Sequence, residues 1–410
     1  MNRAAEEHED VAQPRIFIGM PVYNAADKLA EAVEAILAQT MGDFVLQISD
    51  NASTDGTFEI ARKYAEKDER VSAFRYEENL GATRNFNRLA EAAGCEYFAW
   101  AAGDDRMAPE YLERCREALD ADDGAVLAYA WVKIVDPEGG VQKIYRDGRV
   151  ADSEDVVERL RAAMYHLQLL NCFYGVMRRR ALQATQLMRD DMYAPDNLLI
   201  VELAMEGRFV QIEEPLFRRG LPGRGEHVFQ RYERLDRTMF RQDRRYTQRT
   251  PMCHFVKCHI DSIRHSRLSP EQKAELIGEM PGSMIQRWGG QMKAELDRAI
   301  HVCLAGKFGL RWGENPDTPH EETREQTLQF YEVEDMLRDL TEARLVFQDY
   351  PGLQLARAVC LARLARKAEA IVACLHEYRR RPEMPGCRDL ARQLGCLTPD
   401  EQIVVPLQAL

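Results

Sequence analysis

The chain has 410 residues, of which 45% are hydrophobic and 30% charged, the balance of a soluble globular protein with more than one domain. Sixty-seven acids against 55 bases leave a net charge of −12, which argues against nucleic acid as a partner because phosphate binding needs a basic surface. No apolar run approaches the roughly 20 residues of a membrane helix, and the acidic N-terminus lacks the apolar stretch of a secretory signal. The ten cysteines form no C-x-x-C pair, so a cytoplasmic protein with reduced thiols is expected.

Residues 1–14 are polar and predict a disordered tail. Residues 15–20 (RIFIGM) read as a buried strand ended by Pro21, and residues 28–39 place Leu29, Val33, Ile36 and Leu37 at helical spacing. A second strand follows at 44–49 and a second helix at 57–68. The third pair is a strand at 71–77 and a helix at 81–93. The fourth is a strand at 97–101 and a helix from Pro109, where proline suits the first helical position. Strands separated by helices of this length predict parallel strands with crossover connections, an α/β doubly wound sheet with helices on both faces. A fifth strand is expected at 125–135, then a helix over 155–170, a strand at 172–178, a helix at 197–207 and a strand at 209–214. From Glu226 onward the pattern is mostly α-helical. The predicted organisation is a catalytic domain over 15–225, a helical extension over 226–312, a proline-containing linker at 313–321 and a helical region over 322–410. Residues 353–379 read as a helical hairpin.

In a parallel sheet, ligands bind at the carboxyl ends of the strands. Four consecutive strand ends here carry clustered polar groups: Pro21-Val22-Tyr23-Asn24, then Asp50-Asn51-Ala52-Ser53-Thr54-Asp55-Gly56-Thr57, then Asn79-Leu80-Gly81 with Arg84, and finally Gly103-Asp104-Asp105. An ionised Asp50 or Asp55 can accept hydrogen bonds from a nucleobase or a ribose hydroxyl, although the second motif taken alone also reads as a turn followed by a helix cap. Adjacent carboxylates at 104 and 105 repel unless a cation lies between them, and hard divalent ions prefer such oxygen ligands. Alone, that pair reads equally as acids before a helix N-terminus.

Taken as an ordered set, the Pro-x-Tyr-Asn, Asp-Asn-x-Ser-x-Asp-Gly-Thr, Asn-x-Gly and Asp-Asp motifs resemble those of family 2 glycosyltransferases with the GT-A fold. The resemblance runs from about Arg15 to Arg218. It implies an inverting transfer of a sugar from a nucleotide-sugar donor to an acceptor hydroxyl. It assigns the nucleotide to Pro21, Tyr23, Asn24, Asp50, Asp55, Asn79, Gly81, Arg84 and Asp104, and a magnesium or manganese ion to Asp105. His227, in a Gly/Pro loop with Arg219 and Arg224, is a further metal-ligand candidate. One departure is Gly103, which stands where the family's Asp-x-Asp has its first acid. The general base implied by the family pattern is Asp196, in Ala194-Pro195-Asp196-Asn197-Leu198-Leu199, which also reads as an N-cap for the following helix; Asp190 and Asp191 are the fallbacks.

Three other features were weighed. Gln286-Arg287-Trp288 has the wrong spacing for the Gln-x-x-Arg-Trp of processive synthases. Cys253, His254, Cys258 and His259 have spacings that suit a zinc site but read better as one helix. Arg178-Arg179-Arg180 is a basic patch through which a cytoplasmic enzyme with a lipid-linked acceptor could touch a membrane surface. The expected acceptor is a glycan, lipid-linked or protein molecule, in polysaccharide biosynthesis or protein modification. The C-terminal helices are candidates for homodimerisation. The alternatives are a nucleotidyltransferase, for which the chain lacks a Gly-rich phosphate loop near its first strand, and a GT-A-like scaffold whose helical half binds a protein partner.

Overall fold

The structure is a computed structural model. It describes residues 14–103, 105–136, 139–146, 150–167, 170–220, 250–308, 333–384, 386–398, 400 and 402–403. Residues 1–13 of the expected tail, the linker at 313–321, Asp104, Arg224 and His227 therefore lie outside the described residues. So does the expected domain boundary near 225. The chain divides into two compact units, residues 1–190 with 194–244 and residues 191–193 with 245–410.

In the first unit, β1 (Ile16–Val22), β2 (Phe44–Asp50), β3 (Val71–Arg75) and β4 (Tyr97–Trp100) alternate with α1 (Leu29–Leu37), α2 (Thr57–Ala65) and α3 (Ala82–Ala92). All pairings among these four strands are parallel. The helix α4 (Tyr111–Asp120) then leads into β6 (Ala125–Val135), which coincides with the expected fifth strand. The remaining elements are β5 (Arg106–Met107), β7 (Val141–Tyr145), α5 (Val156–Arg161), β8 (Val176–Arg178), α6 (Arg179–Leu182), α7 (Pro195–Glu206) and β9 (Arg208–Gly220). The sheet order is β3-β2-β1-β4-β8-β6-β9-β5, with β7 paired to β6. Beyond β4 the sheet becomes mixed: β8 runs antiparallel to both β4 and β6, while β9 is parallel to β6. The expected α/β sheet is thus present, but wholly parallel only in its first four strands.

Several boundaries differ from expectation for local reasons. Pro21 does not end β1; it pairs with Ser49 of β2, and β1 continues to Val22. Gly19 O accepts from Ala101 N on the β4 side, and Val22 O accepts from Asn51 N on the β2 side. Pro21 therefore turns its missing N–H toward β4, which has already ended, and the ladder loses nothing. The expected helix at 155–170 is α5 capped by Asp155, whose carboxylate accepts from Val157 N at 2.7 Å, followed by a π-turn at Ala162–His166. The expected strand at 172–178 begins with a 3₁₀ turn at Asn171–Tyr174, leaving only β8 extended. Pro109 precedes α4 rather than opening it, and its carbonyl accepts from Thr40 N.

Burial follows the sheet. In α1, Leu29, Ala32, Val33 and Ile36 form the apolar face, and Ile16, Ile18, Met20, Leu46 and Ile48 lie under it at full burial. On the edge, Arg15 forks between Glu96 and Asp120 at 2.7–2.8 Å, pinning the start of β1 to the end of α4. Arg178 is buried and donates to Ala125 O and Leu119 O, Arg179 to Cys95 O and Arg180 to Asp123 O. These guanidiniums satisfy backbone carbonyls. This corrects the reading of 178–180 as a basic membrane patch, since Arg178 is not at the surface.

The second unit is helical: α8 (Pro251–His265), α9 (Pro270–Phe308), α10 (Val333–Val346), α11 (Leu353–Arg363), α12 (Lys367–Arg380) and α13 (Cys387–Gln393). The expected hairpin at 353–379 is α11 with α12. Gln286-Arg287-Trp288 lies inside α9. The Cys253–His259 motif lies in α8, where all four Cys and His side chains are buried. His254 bonds Glu342 of α10 at 2.7 Å, and His259 Nδ1 meets its own helix at Phe255 O. No described helix is long and apolar enough to cross a membrane.

Candidate active site

The carboxyl ends of β1 and β2 are tied to each other by side chains. Asp50, the last residue of β2, is fully buried; it accepts from Ser53 N at 3.2–3.3 Å and from the Ser53 hydroxyl. The same Ser53 hydroxyl accepts from Asn24 N at 2.9 Å, and Asn24, in the left-handed region at φ 49°, takes Thr54 N on its Oδ1 at 2.9 Å. Asp55 accepts from Thr57 N at 3.0 Å and from Ala26 N at 3.2 Å, so it both caps α2 and binds the β1 loop.

Arg75, at the end of β3, completes this corner. Its Nε lies 3.4 Å from Asp50, its Nη2 donates to Ser53 O at 2.7 Å, and its guanidinium stacks over Phe58. Burial pushes the Asp50 carboxyl up, and the bonds from Ser53 and Arg75 pull it back only in part. Sequence reasoning missed Arg75 and the bridging role of Ser53. The available signal was an arginine ending a strand next to one that ends in aspartate.

The third strand end is joined through Asn51. Its Nδ2 donates to Asn79 Oδ1 at 2.9 Å, and its Oδ1 accepts from Leu80 N at 2.8 Å. Asn79 Oδ1 also accepts from Gly81 N, and Gly81 adopts φ 84°, ψ 156°, a conformation essentially reserved for glycine. Below it, Asn85 Nδ2 donates to Ser49 O. Pro21 is half-buried and Tyr23 is 41% exposed beside this corner. Arg84 stands apart from the network and pairs with Asp190 at 3.3 Å.

After β4, Gly103 and Asp105 are half-buried. A Cβ added at Gly103 would meet Val22 and Ala25 at 3.6 and 3.7 Å, ordinary contact distances, so neither space nor backbone demands a glycine there. Asp105 O accepts from Arg106, which in turn pairs with Glu31. Asp105 offers the hard oxygen donor that a magnesium or manganese ion takes. Among the described residues no three acids, histidines or cysteines converge as a metal set.

Asp196 is not an N-cap. The helix α7 begins one residue earlier at Pro195, after Ala194 in the left-handed region, which places Asp196 in the first turn. Its Oδ1 accepts from Asn197 N at 3.1 Å. Burial raises the Asp196 carboxyl above the usual range, while Asn197 and the charge of Arg219 pull against that rise. Arg219 at the end of β9 also donates to Asn171 at 3.2 Å.

Residues 17–184 match the family model described as glycosyl transferase family 2. TuaG of Bacillus subtilis (strain 168), a putative teichuronic acid biosynthesis glycosyltransferase, is 34% identical over 26% of this chain and 42% of its own length. An uncharacterized glycosyltransferase of Methanocaldococcus jannaschii, MJ1057, is 29% identical over 33% of this chain and 48% of its own. The chain thus spans under half the length of these curated relatives. Among solved structures, S. aureus TarS 1–349 in complex with UDP-GlcNAc superposes with a TM-score of 0.54 at 15% identity, covering 90% of this chain and 93% of that one. A second TarS structure gives the same TM-score at 14% identity, over 84% of this chain and 55% of the other. The motifs fall inside the stretch that matches the family 2 glycosyltransferase model, residues 17–184, and the likeness to TarS shows the fold, a GT-A-type mixed α/β sheet.

Proposed function

We propose that the protein transfers a sugar from a nucleoside diphosphate donor to an acceptor hydroxyl with inversion at the anomeric carbon. The observation that carries this reading is the hydrogen-bonded union of the β1, β2 and β3 carboxyl ends, where Asn24, Asp50, Asp55, Asn79 and Gly81 belong to two linked networks inside the family domain. Pro21, Tyr23, Asn24 and Arg84, with Asp104, flank the nucleotide; Asp50, Asp55, Asn79 and Gly81 shape its pocket. A donor such as UDP-GlcNAc, the ligand named for TarS, is the first class to try.

The metal expected of this family would be held by Asp105, with His227 as a further ligand. When bound, a divalent ion offsets charge on the departing diphosphate. The chain's own residues do the rest. The locked loops fix the donor without reorganising when it arrives, which favours reaction over mere binding. Asp196 takes the proton of the acceptor hydroxyl as the new glycosidic bond forms. Its raised carboxyl makes it a stronger base than an ordinary aspartate. The charge of Arg219 works against that rise.

Calorimetric titration with UDP, GDP and dTDP, each with and without Mn²⁺, tests the reading in wild type and Asp105→Ala. Metal-dependent binding of one diphosphate, lost in the variant, supports it and names the donor class. A folded protein that binds none of the three favours the scaffold reading, for which Gly103 in the place of an acid is the specific observation.

A further inference from the structure

The helical unit carries an open, solvent-facing cavity of about 620 Å³ that the glycosyltransferase reading leaves unused, lined mostly by exposed side chains. Thr341, Arg344, Leu345 and Gln348 line one wall; their spacing of i, i+3, i+4, i+7 puts them on a single face running through α10 and just beyond its end. His376 and Arg380, one turn apart on α12, line the opposite wall, and Asp349 closes the end.

The donors and acceptors in this cavity do not balance. Asp349, the one acid, is already engaged by Arg380 at 2.5 Å and by Arg381 at 3.3 Å, and these arginines hold its carboxyl below the usual range. Arg344 has neither an ion pair nor a hydrogen bond among the described residues, and neither does the amide of Gln348. His376 Nδ1 is buried without a partner, which leaves Nε2 as the nitrogen through which the ring can bond a ligand. An exposed guanidinium fork, an exposed amide and a half-buried imidazole therefore line one solvent-facing space, and among the described residues no protein acceptor takes the donors of Arg344 or Gln348. The chain as a whole is acidic, at −12.

We infer that this cavity is a binding site for an oxyanion, a phosphate or a carboxylate, carried on a ligand of sugar size. Arg344 supplies the planar fork that matches such a group, and His376 Nε2 and Gln348 supply the second and third donors. The volume suits a small molecule rather than a bare ion. Arg380 is pre-oriented by Asp349, so ordering it on binding costs little.

The test titrates the full chain with glucose 6-phosphate, glucuronate and glucose at matched ionic strength, in the presence of saturating UDP and Mn²⁺ so that anions cannot bind at the nucleotide site. Wild type is expected to bind one or both acids. Arg344→Gln and His376→Gln should each weaken that binding at least tenfold, with an unchanged circular dichroism spectrum and unchanged affinity for UDP. Binding of glucose 6-phosphate alone identifies a phosphate ligand, and of glucuronate alone a carboxylate ligand. Equal binding of glucose, no anion binding, or anion binding indifferent to both variants overturns the inference. Absence of UDP binding with intact, variant-sensitive anion binding would instead sink the proposed transferase function and leave this site standing.

Discussion

Asp196 sits where burial and the proposed base role ask for opposite protonation states, and each leaves a measurable trace. The proposed reaction needs its carboxylate, so kcat/KM should fall as pH drops through a value above the ordinary aspartate range. Asp196→Asn should lose that acidic limb and reduce kcat by roughly 10²–10⁴-fold, with donor affinity unchanged. Stability moves the other way. A carboxyl whose folded pKa is raised destabilises the fold once pH exceeds its unfolded value, so the neutral asparagine should raise Tm at pH 7 and change little at pH 3. A variant with normal turnover would reassign the base. Arg75 is the other residue with a large expected effect. Arg75→Met leaves the buried Asp50 with Ser53 alone and should cost about 1–3 kcal/mol of stability. Because Asp50 then becomes harder to ionise, the loss should be greater at pH 8 than at pH 5, as read by urea unfolding.

The loops between elements, rather than the strands themselves, make the corner rigid. Three short connections exchange side-chain to backbone bonds, and each uses a residue that alone would only cap or turn: Asn24, Asp55 and Asn79. Gly81 is the position least able to change. Its backbone conformation is closed to other residues, and it starts α3 directly after the Asn51–Asn79 link. Gly81→Ala should therefore lower stability by about 1–3 kcal/mol and weaken nucleoside diphosphate binding together. Differential scanning calorimetry and the UDP titration check the two effects; an unaffected Tm would show that the loop relaxes at no cost. The mixed half of the sheet shows the opposite behaviour. The strand β9 absorbs residues 213–216 as an irregularity between Ile212 and Phe217, so the ladder with β6 survives Pro215.

At the scale of the molecule, the two units store charge differently. The α/β unit sets one buried carboxylate, Asp50, against the half-exposed Arg75 and places other pairs, such as Arg15 with Glu96 and Asp120, nearer the surface. The helical unit buries an ionisable pair, His254 with Glu342. Burial alone would depress His254, but hydrogen bonds to Cys258 and Glu342 outweigh it and raise its pKa to about 9. A histidine raised in this way contributes stability that is fully present below about pH 6.5 and lost as pH rises through about 9. Thermal unfolding of the wild type should show that loss between pH 6.5 and 9. Glu342→Gln should flatten it and lower Tm at pH 6, because the buried imidazole loses its counter-charge. An unchanged pH dependence in the variant would refute the pairing.

How much of this was legible in the chain divides along the range of the interactions involved. The strand–helix alternation over residues 15–135 could be read because apolar periodicity is a local property, and 125–135 coincides with β6. The ordered polar motifs could be read because each strand end stands next to its own loop. The antiparallel insertion of β8 could not, since three residues of strand carry no signal of which neighbours they will pair with. Nor could the fate of the charged groups. Arg178 looked like surface and proved to serve buried carbonyls, while Asp196 looked like a cap and lies inside the first turn. Arg75 carried no motif at all. Local patterning determined, from the sequence alone, the strand–helix alternation of residues 15–135 and where the loops with clustered polar groups lie. Only the tertiary structure decided which of those side chains are spent on each other and which keep donors to offer, because that depends on partners 22 to 105 residues away that meet only after the chain has folded.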